Sequence, residues 1–207
     1  MENFGFKQSV LDGTEYIFGV PEGGEIIPKK YSYKRFLSKI IDQGPDPICV
    51  PCSLSAYLNW RENLGTGSKK DHKVEYFEIY NSKSTAGEGM TYKDAFSYLR
   101  HHGVTSETGN LKIGHYGLIN NPLLLRNALI VNGPCFGALP VYNYTPEFWN
   151  RRQGDTLYGY HAISIVGYDE DGFIIRNSWG SGFGEKGYTH IKMEDMHKMI
   201  EIWTVMD

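Results

Sequence analysis

The sequence contains little cysteine, with only Cys49, Cys52 and Cys135 among its 207 residues. An odd and small number of cysteines does not make the disulfide framework that stabilises many secreted domains. We therefore expect the protein to work in the cytoplasm or in another reducing compartment.

Long hydrophobic runs and blocks of like charge are also missing. The longest apolar runs, such as residues 128–131, are far too short to span a bilayer, and the N-terminus lacks the basic and then apolar pattern of a signal peptide. The net charge is −3, and the charged residues are spread along the chain without a basic stripe. These absences argue against a membrane segment, an export signal and a nucleic-acid partner.

What the chain does have is the composition of a globular domain. It is 41% hydrophobic and 22% charged, and it is long enough to bury a core as one unit or as two closely packed lobes. Apolar residues at helical spacing predict helices over 49–60, 91–101 and 122–132. From Cys135 onward, short β-rich runs alternate with turns, including a hairpin turn at 169–172. Helices followed by a sheet predict an α+β fold with a cleft between the two parts.

A cysteine, a distant histidine and a later asparagine supply the side chains that thiol chemistry needs. Cys49 opens the first predicted helix, and Pro51 fits there because proline is tolerated in the first turn of a helix. A helix N-terminus and a nearby imidazolium both favour the thiolate, which is the nucleophilic form of cysteine. His161 is the candidate base, and Asn177 can fix its ring through the amide oxygen.

The spacing of these residues resembles that of the papain-like cysteine peptidases. Gln43, followed by glycine, stands six positions before Cys49, as the oxyanion-hole glutamine does in that family. His161 lies in a Gly-Tyr-His-Ala run that leads into an apolar strand, similar to the family's Gly-His-Ala run. Asn177 follows it by sixteen positions and lies in an Asn-Ser-Trp-Gly motif that includes Trp179.

The resemblance implies a role for each of these residues. Cys49 would be the nucleophile, His161 the general acid and base, and Gln43 a donor to the oxyanion. Asn177 would hold the histidine ring, and Trp179 would shield the bond between them from water. The implied function is a cysteine-type peptidase, a thiol hydrolase that cuts polypeptide or peptide substrates through an acyl-enzyme intermediate. It implies no metal and no other cofactor.

The resemblance also implies a domain organisation. Residues 1–207 would form one papain-like peptidase domain of two lobes, with the active site in the cleft between them. An N-terminal extension would cover 1–30, a mainly helical lobe 31–130, and a lobe built on an antiparallel β-sheet or barrel 131–207. Family zymogens have a longer, helical prosegment, so we do not expect this extension to inhibit the enzyme.

Some residues of the expected substrate cleft depart from the family pattern. Pro47 and Ile48 precede the nucleophile where the family usually has glycine and serine, and Tyr160 replaces a small or acidic residue before the histidine. Gly89 corresponds to the glycine-rich rim of the cleft. We expect Pro47, Gly89 and Tyr160 to contact the substrate, with Pro47 and Tyr160 narrowing the cleft.

Two other functions stay open at this point. The altered cleft residues also fit a papain-like scaffold with weak or no activity that binds an assembly partner, for example in a virion. Cys49 and Cys52 form a Cys-x-Pro-Cys motif, which is typical of thiol–disulfide redox proteins. A redox domain needs an apolar strand directly before that motif, and residues 42–47 indicate a turn instead, so the redox hypothesis is the weaker of the two.

Overall fold

The computed structural model describes residues 4–19, 27–66, 76–83 and 87–207. Within these ranges there are four α-helices: α1 (Cys49–Thr66), α2 (Phe77–Lys83), α3 (Tyr92–His101) and α4 (Pro122–Val131). The strands are β1 (Tyr31–Ser32), β2 (Val104–Ser106), β3 (Gly109–Leu111), β4 (His115–Leu118), β5 (Cys135–Val141), β6 (Gly159–Asp169), β7 (Gly172–Arg176), β8 (Tyr188–Ile191) and β9 (Glu201–Met206). Short 3₁₀ helices cover Lys34–Phe36 and Met193–Lys198.

The starts of two helices are set by capping side chains. The hydroxyl of Thr91 accepts a hydrogen bond from the backbone N–H of Asp94 before α3, and Asn121 accepts one from Leu124 before α4. Pro122 occupies the first turn of α4, where its missing N–H is not needed. These helices, and the start of α1 at its cysteine, confirm the sequence predictions. The polar and glycine-containing residues 65–71 predict a loop, and residues 74–80 predict a short helix or strand; both ranges lie partly outside the described residues.

A seven-stranded antiparallel sheet forms the second half of the fold. Its strand order is β4-β9-β5-β6-β7-β8, and β1 also pairs with β6. The hairpin predicted at 169–172 joins β6 to β7, with Asp169 opposite Gly172. Among the described strands the two outer ones, β4 and β8, do not pair with each other, so the sheet is open. The α+β fold class is confirmed, with a sheet in place of the alternative barrel.

The sheet is buried on both faces, and this fixes the position of α1. Successive side chains of a strand point to opposite faces. In β5, Phe136 and Ala138 belong to a core cluster with residues of α1 and α3, whereas Leu139 belongs to a second cluster with residues of α4. The hydroxyl of Ser164 in β6 donates to the carbonyl oxygen of Ser53 in α1 at 2.7 Å. This contact holds the first turns of α1 against β6.

The helices differ from membrane spans. None of the helices in the described part of the chain is long and apolar enough to cross a bilayer. All four lie before residue 132, and β5 to β9 follow them. The division into an extension and two lobes at residues 30 and 130 stays a prediction.

Candidate active site

The candidate nucleophile lies at the first residue of α1, against β6. Cys49 is completely buried, and its sulfur accepts a hydrogen bond from the backbone N–H of Ala162 at 3.4 Å. Ala162 directly follows His161 in β6. The packing of α1 on β6 therefore brings together two residues that are more than a hundred positions apart in the sequence.

Only one nitrogen of the His161 imidazole has a hydrogen-bond partner among the described residues. Its Nε2 lies 2.7 Å from Oδ1 of Asn177, which directly follows β7. Oδ1 also accepts the backbone N–H of Ser178 at 2.7 Å, so Nε2 of His161 donates to it. The other ring nitrogen, Nδ1, is buried and has no hydrogen-bond partner among the described residues. The ring is thus fixed in one tautomer with Nδ1 able to accept a proton.

Aromatic rings cover this pair of side chains. Trp179 stacks on the His161 ring, with centroids 4.6 Å apart and planes at 27°. Phe148 meets the same ring edge-on at 5.8 Å. Rings of this size exclude water and strengthen the enclosed hydrogen bond to Asn177 by lowering the local dielectric.

Gln43 is attached to the same segment by backbone pairing. Its N–H donates to the carbonyl oxygen of Ser178 at 2.9 Å, and the Ser178 hydroxyl donates to its Oε1 at 2.6 Å. The N–H of Gly180 donates to Ile41 at 3.1 Å. Oε1 of Gln43 thus accepts a hydrogen bond. The amide nitrogen Nε2 donates to two carbonyl oxygens, that of Asp46 at 2.9 Å and that of Phe4 at 3.2 Å.

The N-terminal strap, defined here as residues 4–7, lies in the cleft. Met90 donates its N–H to the carbonyl oxygen of Gly5 at 2.9 Å and accepts the N–H of Lys7 at the same distance. Phe6 and Met90 form a parallel β-bridge. The ring of Phe4 lies 5.8 Å from that of Trp179 and 6.1 Å from that of His161. Residues 4–7, for which no role in the cleft was expected, thus line it, and Phe6 belongs to the same core cluster as Cys49.

Two of the three predicted substrate-binding residues enclose the strap. A Cβ placed on Gly5 would lie 2.0 Å from the carbonyl oxygen of Pro47, and a Cβ placed on Gly89 would lie 2.4 Å from the carbonyl oxygen of Gly5. Tyr160 is half-buried and packs against the core cluster that contains Phe6. The structure thus brings Pro47 and Gly89 together around one glycine of the strap.

Burial shifts the pKa values of Cys49 and His161 toward their neutral forms. It raises the pKa of the Cys49 thiol from the ordinary 9.0 to about 12, although the N–H of Ala162 opposes the change. It lowers the pKa of His161 from 6.5 to about 4, although the bond to Asn177 opposes it. Both shifts favour the neutral thiol and the neutral imidazole over a thiolate–imidazolium pair.

The cleft is open on the side of Trp179. A cavity of about 1090 Å³ lies there, bordered by Phe4, Gln43, Trp179, Phe183 and Glu185 among others. It adjoins the carbonyl group of Phe4 that Gln43 holds. A peptide chain leaving the site on the side of the His161 ring would enter this cavity.

One group of side chains among the described residues could hold a cation. Ligand atoms of Asp169, Asp171 and His190 lie within 4.8 Å of one another. The group sits at the turn between β6 and β7 and on β8, and it does not include Cys49 or His161. The candidate active site has no part in it.

Comparison with known proteins agrees with this geometry. The sequence model of the papain family cysteine proteases matches residues 120–206. Gamete and mating-type specific protein A of Dictyostelium discoideum is 25% identical over 185 residues, which cover 77% of this chain and 41% of that protein. Cathepsin B-like CP3 of Giardia intestinalis is 39% identical over 85 residues, 37% of this chain and 27% of that protein. The chain spans less than half the length of these relatives.

Solved structures extend the likeness to the whole fold. Xylellain, a cysteine protease from Xylella fastidiosa, superposes with a TM-score of 0.80 at 20% identity, covering 99% of this chain and 96% of that one. ProCathepsin B S9 from Trypanosoma congolense superposes with a TM-score of 0.78 at 12% identity, covering 100% of this chain and 88% of that one. The chain has a papain-like fold. Together with the family match, this confirms the resemblance to the papain-like cysteine peptidases.

Sequence reasoning missed the residues that close and support the site. Phe4 and Gly5 were not expected in the cleft, and Ser178 and Phe148 were not singled out. Ser178 could have been noticed, because it lies inside the Asn-Ser-Trp-Gly motif. Phe4 and Gly5 carry no motif, and the contacts of Gly5 depend on the close approach of backbone atoms.

Proposed function

We propose that this chain is a cysteine peptidase that hydrolyses peptide bonds with Cys49 as nucleophile and His161 as general acid and base. Asn177 orients the imidazole, and Gln43 donates to the oxyanion. The observation that carries the proposal is the hydrogen bond from Nε2 of His161 to Asn177, which leaves Nδ1 as the acceptor of the ring. The next residue of the same strand, Ala162, donates its backbone N–H to the Cys49 sulfur.

The proposed reaction has two halves. The sulfur of Cys49 gives its proton to His161 and bonds to the substrate carbonyl carbon, whose oxygen becomes an oxyanion near Nε2 of Gln43. The C–N bond then breaks, and His161 returns the proton to the leaving amine. In the second half, His161 takes a proton from water, the hydroxide attacks the thioester, and the proton returns to the sulfur as the acid leaves.

The N-terminal strap keeps this enzyme latent in our proposal. It fills the cleft next to Cys49, takes the hydrogen bond that Gln43 would give to an oxyanion, and excludes water from the thiol and the imidazole. Because a buried neutral thiol is a poor nucleophile, the strap blocks both access and activation. Displacement of residues 4–7 would restore both. All three cysteines are free and buried, which supports a reducing compartment.

The occupied cleft also supports a second candidate function. In it, the chain is a catalytically inactive scaffold that binds an assembly partner, for example in a virion. In that case Phe4 and Phe6 would be permanent core residues. The two candidates make different predictions for a protein whose strap has been weakened. Only the peptidase gains activity.

The test uses the variant Phe6→Ala and a library of peptides from a denatured proteome. Mass spectrometry of the products identifies new peptide termini. We expect new termini with Phe6→Ala and none when Cys49→Ala is added to the same protein. If the strap variant exposes Cys49 to a small alkylating reagent but cuts no peptide in the library, the peptidase proposal is wrong and the scaffold gains support.

A further inference from the structure

The large cavity beside Trp179 combines two kinds of wall. Aromatic rings border it, those of Phe4, Tyr144, Trp179, Phe183 and Tyr188. Carboxylates border it as well, those of Asp42, Asp46 and Glu185. Among the described residues, no lysine or arginine does so. Aromatic faces attract cations, and a concave site lined by charges of one sign attracts the opposite sign. The cavity therefore has the chemistry of a site for a cationic side chain.

Two of the three carboxylates have no cationic partner in the protein. Glu185 lies 4.0 Å from Lys34, so its charge is partly offset. Asp42 and Asp46 form no ion pair with any lysine, arginine or histidine of the described residues. Their negative charges are therefore left for a ligand to neutralise.

The carboxylate of Asp42 is held next to Trp179. The two residues form an antiparallel β-bridge, and Oδ1 of Asp42 accepts the N–H of Gly44 at 3.0 Å. A Cβ placed on Gly180 would lie 2.9 Å from Oδ2 of Asp42, so the missing side chain of Gly180 leaves room for this carboxylate. A group that is already positioned loses less side-chain entropy when it binds a ligand.

The aromatic wall of the cavity contains a corner between two rings. Trp179 and Phe183 have centroids 5.2 Å apart and planes at 90°. The ring of Tyr144 lies 5.8 Å from that of Trp179. The methylene groups of a long side chain can pack on such rings while its charged end reaches a carboxylate. Arginine and lysine have that shape.

The position of the cavity assigns it to the part of the substrate that leaves first. Gln43, the proposed oxyanion donor, borders the cavity, and so does Trp179, which stacks on His161. The leaving amine must lie near the imidazole to receive its proton, so the peptide chain that follows this amine passes Trp179. Phe4 borders the cavity in the closed protein, and displacement of the strap would widen the path.

We infer that the enzyme selects substrates with arginine or lysine among the first two residues after the bond that is cut, and that Asp42 and Asp46 make this selection. The inference rests on the proposed peptidase function and specifies its substrate.

The first test measures cation binding without hydrolysis. It uses the unaltered full chain, because the cavity is open while the strap is in place. The ligands are arginine amide and citrulline amide, which share their shape and differ in charge, and NMR titration follows the indole N–H of Trp179. We expect arginine amide to bind about tenfold more tightly, because each exposed ion pair and each cation–aromatic contact contributes about two- to fivefold. Equal affinities, or no binding of either amide, would overturn the inference.

The second test locates the cleavage sites of Phe6→Ala in the peptide library. The library is prepared with a protease specific for acidic residues, so that arginine and lysine remain at internal positions. We expect these two residues to be enriched about tenfold in the first two positions after the cut, as the expected binding ratio implies. The enrichment should fall to about twofold or less when Asp42→Asn and Asp46→Asn are added.

Glu194→Gln is the matched control for the second test, because the Glu194 side chain is 79% exposed and does not border the cavity. Phe6→Ala with Glu194→Gln should keep the full enrichment. Cleavage without enrichment, or an enrichment that survives the two asparagine substitutions, contradicts the inference. Preferential binding of arginine amide without cleavage of any peptide supports the cation site and refutes the peptidase proposal instead.

Discussion

Replacing Phe6 by alanine is expected to open the strap and to speed alkylation of Cys49 by about 100-fold at neutral pH. Phe6 is 8% exposed and anchors the strap against Tyr92. Truncating a buried phenylalanine costs about 3 kcal/mol, and each 1.4 kcal/mol changes an equilibrium constant about tenfold. The open fraction of the strap therefore rises by about two orders of magnitude.

The pH dependence of the same rate reports the electrostatic effect of the strap. In the closed state the pKa of Cys49 is raised to about 12 from the ordinary 9.0, so at pH 7 the thiolate fraction is about 1000-fold below that of an ordinary thiol. We expect the wild-type rate to keep rising with pH through pH 10. The rate of Phe6→Ala should level off at lower pH, because the opened thiol is solvated and lies at a helix N-terminus.

The assay is iodoacetamide labelling followed by mass spectrometry of the peptide that carries each cysteine. Cys135 is buried in the other core cluster and serves as an internal reference. Val10→Ala is the matched control, because Val10 is 82% exposed in the same N-terminal segment. The strap mechanism is refuted if Cys49 is alkylated as fast in Val10→Ala as in Phe6→Ala. It is also refuted if Cys135 is labelled as strongly as Cys49, because the acceleration then reflects general unfolding.

The remaining predictions concern the catalytic set in the strap-opened protein and in the closed one. Asn177→Ala is expected to lower kcat about 100-fold with little change in KM, because general acid–base catalysis by a misoriented imidazole is lost; an unchanged kcat would exclude the orienting role. Gln43→Ala should lower kcat by about 100–1000-fold, because the oxyanion loses a hydrogen-bond donor. Both kcat values are measured on one peptide that Phe6→Ala cuts in the library. Gly89→Ala should abolish peptide hydrolysis while iodoacetamide still labels Cys49, because the added Cβ would occupy space that the backbone of Gly5 fills in the closed protein and would obstruct a peptide but not a small reagent. In the closed protein, the pKa of His161 is about 4, against 6.5 when unfolded. Between these two pH values the unfolded state therefore binds more protons than the folded state. Stability in urea should fall by about 3 kcal/mol as pH decreases from about 6.5 to about 4, and His161→Gln should remove that dependence.

The placement of the candidate catalytic residues could be predicted because the proposed chemistry restricts both their types and their spacing. Cys49 lies at a helix start that Pro51 marks in the sequence, and the bond between His161 and Asn177 follows from the hairpin of β6 and β7. The caps Thr91 and Asn121 likewise act within four residues of themselves, so local sequence predicts the helices they begin.

The strap could not be predicted, because its contacts are long-range and made largely by backbone. Gly5 pairs with Met90 across 85 positions and touches Pro47 and Gly89 through atoms that every residue possesses. The missing Cβ of two glycines is the only local sign of this approach, and many glycines in a chain serve turns instead. The burial of Cys49, which raises the pKa of its thiol, was missed for the same reason, because it depends on what covers the thiol.

The intact geometry behind the strap bears on the choice between enzyme and scaffold. Nδ1 of His161 and Nδ2 of Asn177 are both buried without a hydrogen-bond partner among the described residues. Each such group costs about 1–3 kcal/mol, so this pair is an inefficient way to fill a core that apolar side chains could fill better. A permanently closed scaffold gains nothing from that cost. An enzyme whose strap opens gains a ring nitrogen that can accept the proton of the thiol.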